Sequence, residues 1–173
     1  MAVDRATVSV SASLLPDNIK VAIGGTTIYD IDDTGDNNHW VHFRGIVTGT
    51  TARDLVNQND LQYVNQNIEY NDTPRFITEI HDDVVFILIK NSGYAGVAHQ
   101  QSSTGTASTA DLYVGLSGGN IAANSGTIVI GPGECWFAKL RGEAMSEINC
   151  ASSSSDDLLY DVYAILDDGG TDA

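Results

Sequence analysis

The sequence predicts an all-β protein, built as an antiparallel β-sandwich with at most one short helix. Two observations lead to this fold class. Apolar and polar residues alternate with a period of two in successive segments, which is typical of strands with one buried face. Clusters of Gly, Pro, Ser and Asn separate these segments at the spacing of an antiparallel sandwich. Helical periodicity supports only one short helix near 51–57, which Thr51 would cap.

Five strands are predicted in the first 80 residues. Residues 7–14, Thr-Val-Ser-Val-Ser-Ala-Ser-Leu, alternate hydroxyl-bearing or small side chains with apolar ones and indicate a half-buried strand. Paired glycines supply the positive φ of a tight turn, so Gly24-Gly25 predicts a hairpin between its flanking apolar segments. The other four strands are expected at 19–23, 27–31, 40–47 and 76–80.

The second half begins with a strongly apolar strand. Residues 84–89, Val-Val-Phe-Ile-Leu-Ile, are apolar on both faces, which predicts the central strand of a sheet. Glycine, proline and serine clusters then separate five further predicted strands, at 111–116, 127–130, 134–140, 146–150 and 158–166.

The length and charge of the chain bound its class. A chain of 173 residues is expected to form a single domain over 1–173, with 1–16 as an N-terminal arm or edge strand and 167–173 as a solvated acidic tail. The net charge of −15 disfavours direct binding to nucleic acid or to an anionic membrane surface. No stretch reaches the ~20 apolar residues of a spanning helix, and Asp4 and Arg5 depart from a signal-peptide start, so folding in a cytosol is expected.

Two cysteines form a candidate cross-strand pair. If Gly142-Glu143 is a two-residue hairpin turn, counting back along both strands places Cys135 opposite Cys150 on a buried face. A disulfide is one possible state of this pair. Cytosolic folding favours the other, two reduced and packed thiols.

An acidic segment at 30–38 resembles a calcium-binding loop. Asp30, Asp32 and Asp36 fall on positions 1, 3 and 7 of the helix-loop-helix calcium pattern. Position 12 is Val41, where a bidentate glutamate is needed, and the flanking segments are predicted strands. An exposed acidic turn is therefore the preferred interpretation, and no metal site is predicted.

No catalytic constellation or cofactor motif is visible in the sequence. His39 and His42 are three residues apart, which places them on opposite faces of a strand and argues against joint metal binding. The chain also lacks a recognisable nucleophile elbow, and its glycine pairs lie between strands rather than before a helix. No catalytic residue and no cofactor are therefore predicted.

The order of strands and turns in the second half resembles that of a known family. The features are a buried strand ending in Asn91-Ser92-Gly93, the segment Gly131-Pro132-Gly133-Glu134, and the strands at 110–116, 136–140 and 160–164. This order resembles the small, jelly-roll-like β-sandwich virion proteins of tailed bacteriophages, particularly head decoration or cement proteins. The resemblance extends over residues 84–166.

The resemblance implies a non-enzymatic protein that binds the outer surface of a capsid. Such proteins stabilise the shell by binding across major capsid protein subunits, and they frequently form homotrimers. The expected location is the virion, after a period in the host cytoplasm before assembly. No cofactor, nucleic acid or membrane would be involved.

Two segments provide candidate contact residues for such a role. The first predicted strand could pair with the exposed edge of a neighbour. The repeat Val-Asn-Gln-Asn at 56–59 and 64–67 offers amide donors and acceptors, although a polar edge strand with its turn explains it equally well. The candidate interface residues are Val8, Val10, Ala12, Leu14, Asn57, Asn59, Asn65 and Asn67.

Other functions use the same type of sandwich. A tail or neck component is the closest alternative within the virion. A receptor-binding protein that recognises carbohydrate would need exposed aromatic side chains as stacking surfaces, and an enzyme is the third possibility. The aromatic candidates are Trp40, Tyr63, Tyr70, Tyr94 and Trp136.

Overall fold

The computed structural model is all-β and forms an antiparallel β-sandwich. It describes residues 4–12, 23–31, 38–56, 83–95, 106–117, 121, 128–155 and 157–167. The strands within these ranges are β1 Asp4–Ala12, β2 Ile23–Ile31, β3 Asn38–Thr48, β4 Arg53–Asp54, β5 Asp83–Asn91, β6 Tyr94–Ala95, β7 Thr106–Ala107, β8 Leu112–Gly115, β9 Ile128–Ile130, β10 Cys135–Lys139, β11 Asn149–Ser152 and β12 Asp157–Asp167. A short 3₁₀ helix spans Met145–Glu147.

Two main sheets make the sandwich. The larger has the order β1-β2-β3-β12-β5-β10, and the smaller has the order β4-β11-β8-β9. The pairings between described strands are antiparallel, apart from a single parallel pair that joins Ile31 of β2 to Asn38 of β3. The jelly-roll form of the sandwich stays a prediction.

The core lies between the inner faces of the two sheets. Alternate residues of β12, from Leu158 to Leu166, point inward with alternate residues of β3 and β5. The smaller sheet contributes buried apolar side chains to the same core. These are Leu112, Val114, Ile130 and Cys150.

The middle of the larger sheet is β3 and β12, not residues 84–89. The predicted apolar strand does have a neighbour on each side, but β10 beyond it is an edge in the described sheet. β12 is paired along its whole length with β3. Two residues of its outer face, Leu159 and Ile165, are also buried. Period-two alternation is weak in β12 because both faces are covered.

The hairpin predicted at Gly24-Gly25 is wrong. Both glycines lie inside β2, without positive φ, and pair with Ser11 and Val10 of β1. A glycine adopts extended backbone as readily as a turn, so the pair does not by itself determine a reversal. The connection between β1 and β2 falls at 13–22, outside the described residues.

The helix predicted near 51–57 is also wrong for its described part. Arg53 and Asp54 form the short strand β4, and the buried Leu55 donates its N–H to the Ile148 carbonyl at 2.8 Å. The 3₁₀ helix lies instead at the start of the strand predicted at 146–150. At 53–55, pairing with β11 outweighs the local helical propensity.

The other predicted strands are confirmed to within two residues wherever the structure describes them. They are the strands predicted at 40–47, 111–116, 127–130, 134–140 and 158–166. The strand predicted at 76–80 lies outside the described residues.

Candidate functional site

The outer face of the larger sheet places its side chains in three rows that cross four strands. Cross-strand partners in an antiparallel sheet point to the same face, so the strand register defines each row. The first row is Arg44, Asp161, Lys90 and Cys135; the second is His42, Tyr163, Leu88 and Phe137; the third includes Ile165, Phe86 and Lys139.

A buried carboxylate organises the first two rows. The side chain of Asp161 is 7% exposed and accepts two hydrogen bonds from the Arg44 guanidinium, Nε to Oδ1 at 2.6 Å and Nη2 to Oδ2 at 3.1 Å. The His42 Nε2 atom lies 3.6 Å from Asp161 Oδ1. The His42 ring stacks on Tyr163 with a centroid distance of 4.4 Å and an interplanar angle of 11°. A paired, bidentate geometry is what allows a carboxylate to be buried in a sheet face.

The pKa values in this cluster follow from that geometry. Burial opposes ionisation of Asp161, but His42 and Arg44 together outweigh it and hold the pKa of Asp161 below its ordinary value. The hydrogen bond to Asp161 raises the pKa of Arg44, although burial acts in the opposite direction. Burial and the Asp161 charge raise the pKa of Tyr163. Asp161 is therefore ionised at neutral pH, and it positions the side chains of Arg44 and His42 on this face of the sheet.

Replacing Asp161 with asparagine is expected to lower the free energy of unfolding by about 2 kcal/mol at neutral pH, because Arg44 loses a charged acceptor. A depressed native pKa stabilises the fold above the ordinary carboxyl pKa of about 3.9, and that contribution disappears as pH falls through the native value. The gap between wild type and Asp161→Asn should therefore close below pH 4. Urea unfolding at pH 7, 5, 4 and 3 measures it, with the exposed Asp157→Asn on the same strand as control. A gap independent of pH would contradict the assignment.

The β1–β2 ribbon is the second distinctive feature. β2 joins the sandwich through its single pair with β3 and through Tyr29, whose buried ring lies 6.3 Å from that of Phe86. Beyond Tyr29 the residues from Gly24 to Ile28 are all exposed. β1 is the outermost strand of the described sheet. The ribbon therefore projects from the sandwich along most of its length.

The two faces of this ribbon carry different side chains. Thr7, Ser9 and Thr26 share one face with Ile28, which is 59% exposed, and the Ser9 and Thr26 hydroxyls lie 3.2 Å apart. Val8 and Val10 lie on the other face, the valine face, and are only half-buried. An isolated two-stranded ribbon is marginal in water. Contact of the valine face with another surface would add burial to it.

The predicted interface residues are only partly described. Val8 and Val10 form the valine face of the ribbon, and Ala12 is the last residue of β1. The remaining candidates, Leu14, Asn57, Asn59, Asn65 and Asn67, lie outside the described residues, so their contact role stays a prediction.

The calcium candidates are likewise only partly described. Asp30 is in β2, whereas Asp32 and Asp36 lie outside the described residues. Val41, at the last ligand position of the pattern, is a buried core residue of β3. Among the described residues, no group of three or more His, Cys, Asp or Glu side chains is arranged to hold a metal ion.

The predicted opposition of Cys135 and Cys150 is wrong. Cys135 pairs with Lys90 of β5 in the larger sheet, while Cys150 pairs with Arg53 and Val114 in the smaller one. The 3₁₀ helix interrupts the assumed hairpin and sends the chain from one sheet to the other. Both thiols are free, Cys135 exposed and Cys150 buried.

The two cysteines should therefore react very differently. Burial raises the pKa of Cys150 to about 12, which removes the reactive thiolate. We expect a chromogenic disulfide reagent at pH 8 to modify one thiol per native chain quickly and the second only after unfolding. Cys135→Ser should abolish the fast phase, and the matched Cys150→Ser should retain it. Two fast thiols in the native wild type would contradict the burial of Cys150.

Two of the aromatic candidates have described surroundings. Trp136 is partly buried and packs against the core, as its alternation within a strand predicts, and Tyr94 is exposed. Sequence reasoning missed the Arg44–Asp161 pair. The available signal was a single acidic residue inside the otherwise apolar β12, since a lone buried charge requires a partner.

Comparisons with protein-family models, with curated proteins and with solved structures give no match to this chain. The likeness to phage decoration proteins accordingly stays a prediction. In the described part of the chain, no helix has the length and apolarity needed to cross a bilayer.

Proposed function

We propose that this chain is a non-enzymatic virion protein that decorates a phage capsid and stabilises it by binding across major capsid protein subunits. The observation that carries the proposal is the β1–β2 ribbon, which projects from a compact sandwich and leaves Val8 and Val10 half-exposed. The sandwich supplies the rigid body. The ribbon supplies a contact that reaches a neighbouring subunit.

The physical basis is the linkage between binding and assembly. A protein that binds the assembled shell and not the free subunits stabilises the shell by its binding free energy. Strand β1, at the edge of the described sheet, offers main-chain groups to an edge of the partner, and its apolar side chains gain burial there. The net charge of −15 keeps the free protein soluble and away from the packaged genome. Binding as a homotrimer would place three ribbons around a junction of capsid subunits.

The first test is the copy number in the virion. Quantitative mass spectrometry of density-banded particles from the source lysate, scaled to the major capsid protein, should give a number comparable to that of the shell subunit. A few copies per particle would overturn decoration in favour of a tail or neck component. Absence from the particle would overturn the virion role.

The second test addresses the ribbon directly. The double variant Val8→Asp/Val10→Asp should weaken binding to undecorated shells at least tenfold in a co-sedimentation assay. The matched variant Thr7→Asp/Ser9→Asp adds the same charge to the opposite face, which carries Ile28, and should bind like wild type. Thermal unfolding establishes that both variants keep the sandwich. An equal loss of binding in both variants, or no loss in either, would refute the role of the valine face.

A further inference from the structure

Strand β10, at the edge of the described sheet, and its neighbour β5 form a basic surface on a strongly acidic protein. The sequence from Val84 to Ala95 and from Cys135 to Gly142 contains no Asp or Glu, although the whole chain has 23 such residues. The same two segments hold Lys90, Lys139 and Arg141, three of the eight basic residues. All three are exposed, and none of them forms an ion pair with a described residue.

Three of the carboxylates near this surface in sequence or register already have partners. Asp161, beside Lys90, is engaged by Arg44. Glu134 accepts the Gly131 N–H at 2.9 Å, and Glu143 accepts the Ser117 hydroxyl at 2.9 Å. The exposed Asp83 lies at the far end of β5, in register with Asp167. No carboxylate of the described residues forms an ion pair with Lys90 or Lys139.

The spacing of these side chains follows the repeat of a strand. Phe137 is 43% exposed, an unusual value for a phenylalanine, and it lies in the row of Leu88 at the middle of β10. Lys139 stands two residues away on the same face, and Lys90 stands beside Cys135, two residues away on the other side. Along the strand direction, cation, apolar group and cation are thus spread over four residues, or about 13 Å, with Lys90 one strand inward of the other two.

We propose that the edge of β10 binds an extended acidic segment of a partner protein by strand addition. The geometry fits a segment of the pattern acidic-x-apolar-x-acidic, whose alternate side chains share one face at the same spacing. One acidic group lies opposite Lys139, and its apolar residue covers Phe137. The other acidic group lies opposite Cys135, two strand spacings or about 10 Å from the Lys90 backbone, a gap that the long lysine and glutamate side chains span. Antiparallel pairing with β10 of a second copy fits poorly, because it would bring the lysines of the two copies close together and their like charges repel. This inference does not depend on the proposed virion role.

A fluorescent peptide that carries this pattern tests the proposal directly. The probe is Thr-Glu-Thr-Val-Thr-Glu-Thr, acetylated and amidated, with binding measured by anisotropy at 50 mM salt. We expect saturable binding that the variants Lys139→Glu and Lys90→Glu weaken at least tenfold. Val129→Glu is the matched control, since Val129 is an exposed apolar residue on edge strand β9 of the other sheet. It should bind the probe like wild type.

Two control peptides separate strand addition from simple charge attraction. A peptide with lysine in place of both glutamates should not bind. A peptide with N-methyl groups on the backbone amides of one edge keeps its charge but loses its main-chain donors, so it should bind at least tenfold more weakly. Equal binding of the methylated and unmethylated acidic peptides would overturn strand addition, as would equal loss in Val129→Glu and Lys139→Glu. Sedimentation showing that the free protein dimerises, with the dimer abolished by Phe137→Ser, would overturn it in favour of a second copy.

Discussion

Replacing Asn91 with alanine is expected to lower the free energy of unfolding by about 3 to 4 kcal/mol, because three hydrogen bonds, two of them buried, disappear together. The Asn91 side chain is fully buried. Its amide nitrogen donates to the carbonyls of Ala110 and Ile130, both at 3.0 Å, and its Oδ1 accepts the Gly93 N–H at 2.9 Å. One side chain thus ties the end of β5 in the larger sheet to the end of β9 in the smaller one. Alanine leaves the Ala110 and Ile130 carbonyls and the part-buried Gly93 N–H without these partners.

Urea unfolding gives the change in free energy, and a thermal scan should show the midpoint falling by about 10 °C. Ser92→Ala, at the adjacent and more exposed position, is the control and should change stability by less than about 1 kcal/mol. Asn91→Asp keeps the acceptor for Gly93 but loses both donors, so it should also be strongly destabilising. A loss below about 1 kcal/mol in Asn91→Ala would contradict the bridging role.

Replacing Gly45 with alanine is expected to cost about 3 kcal/mol, because the new methyl group has no space. Gly45 lies in β3 directly opposite Tyr160 of β12. An ideal Cβ at Gly45 would stand 2.6 Å from Tyr160 Cζ and 2.5 Å from Phe43 Cε1, both of them atoms of buried rings. Tyr160 is further held by the hydrogen bond that its hydroxyl donates to the Leu55 carbonyl. The Tyr160 ring is thus fully buried and anchored at its hydroxyl end, which opposes a shift away from the new methyl group.

Gly25→Ala is the matched control, because Gly25 also lies in a strand and has open space around its Cβ position. It should change the free energy of unfolding by less than about 1 kcal/mol. A double-mutant cycle with Tyr160→Leu identifies the clash. In the Tyr160→Leu background, the loss of unfolding free energy caused by Gly45→Ala should be smaller by at least about 1 kcal/mol than in wild type. The same cost in both backgrounds would exclude the Tyr160 ring as its cause.

The candidate surfaces were visible in the sequence to different degrees. Alternation in residues 7–14 identified Val8 and Val10 as one face of a strand, and β1 carries them on one face of the ribbon. The outer face of the larger sheet had no such signal. Arg44, Asp161 and Lys90 are far apart along the chain, and only strand pairing places them in one row. Sequence alternation assigns a residue to a face of its own strand but says nothing about which strand lies beside it.

The two cysteines and the paired glycines show the same limit. The assumption that neighbouring strands pair made Cys135 and Cys150 partners, whereas the chain changes sheets between them. Gly24 and Gly25 were compatible with a turn and with a strand, and pairing with β1 decided for the strand. In both cases the deciding hydrogen bonds join residues that local propensity does not connect.

The all-β class and most strand positions were determined by the sequence alone, because a period of two in apolar side chains reflects a local property of extended backbone. The order of strands in the sheets, the burial of Asp161 beside Arg44 and the basic edge at β10 were decided only by the tertiary structure. These features depend on contacts between segments that are distant in the chain. Such contacts contribute to stability only once the strands have assembled into the folded sheets.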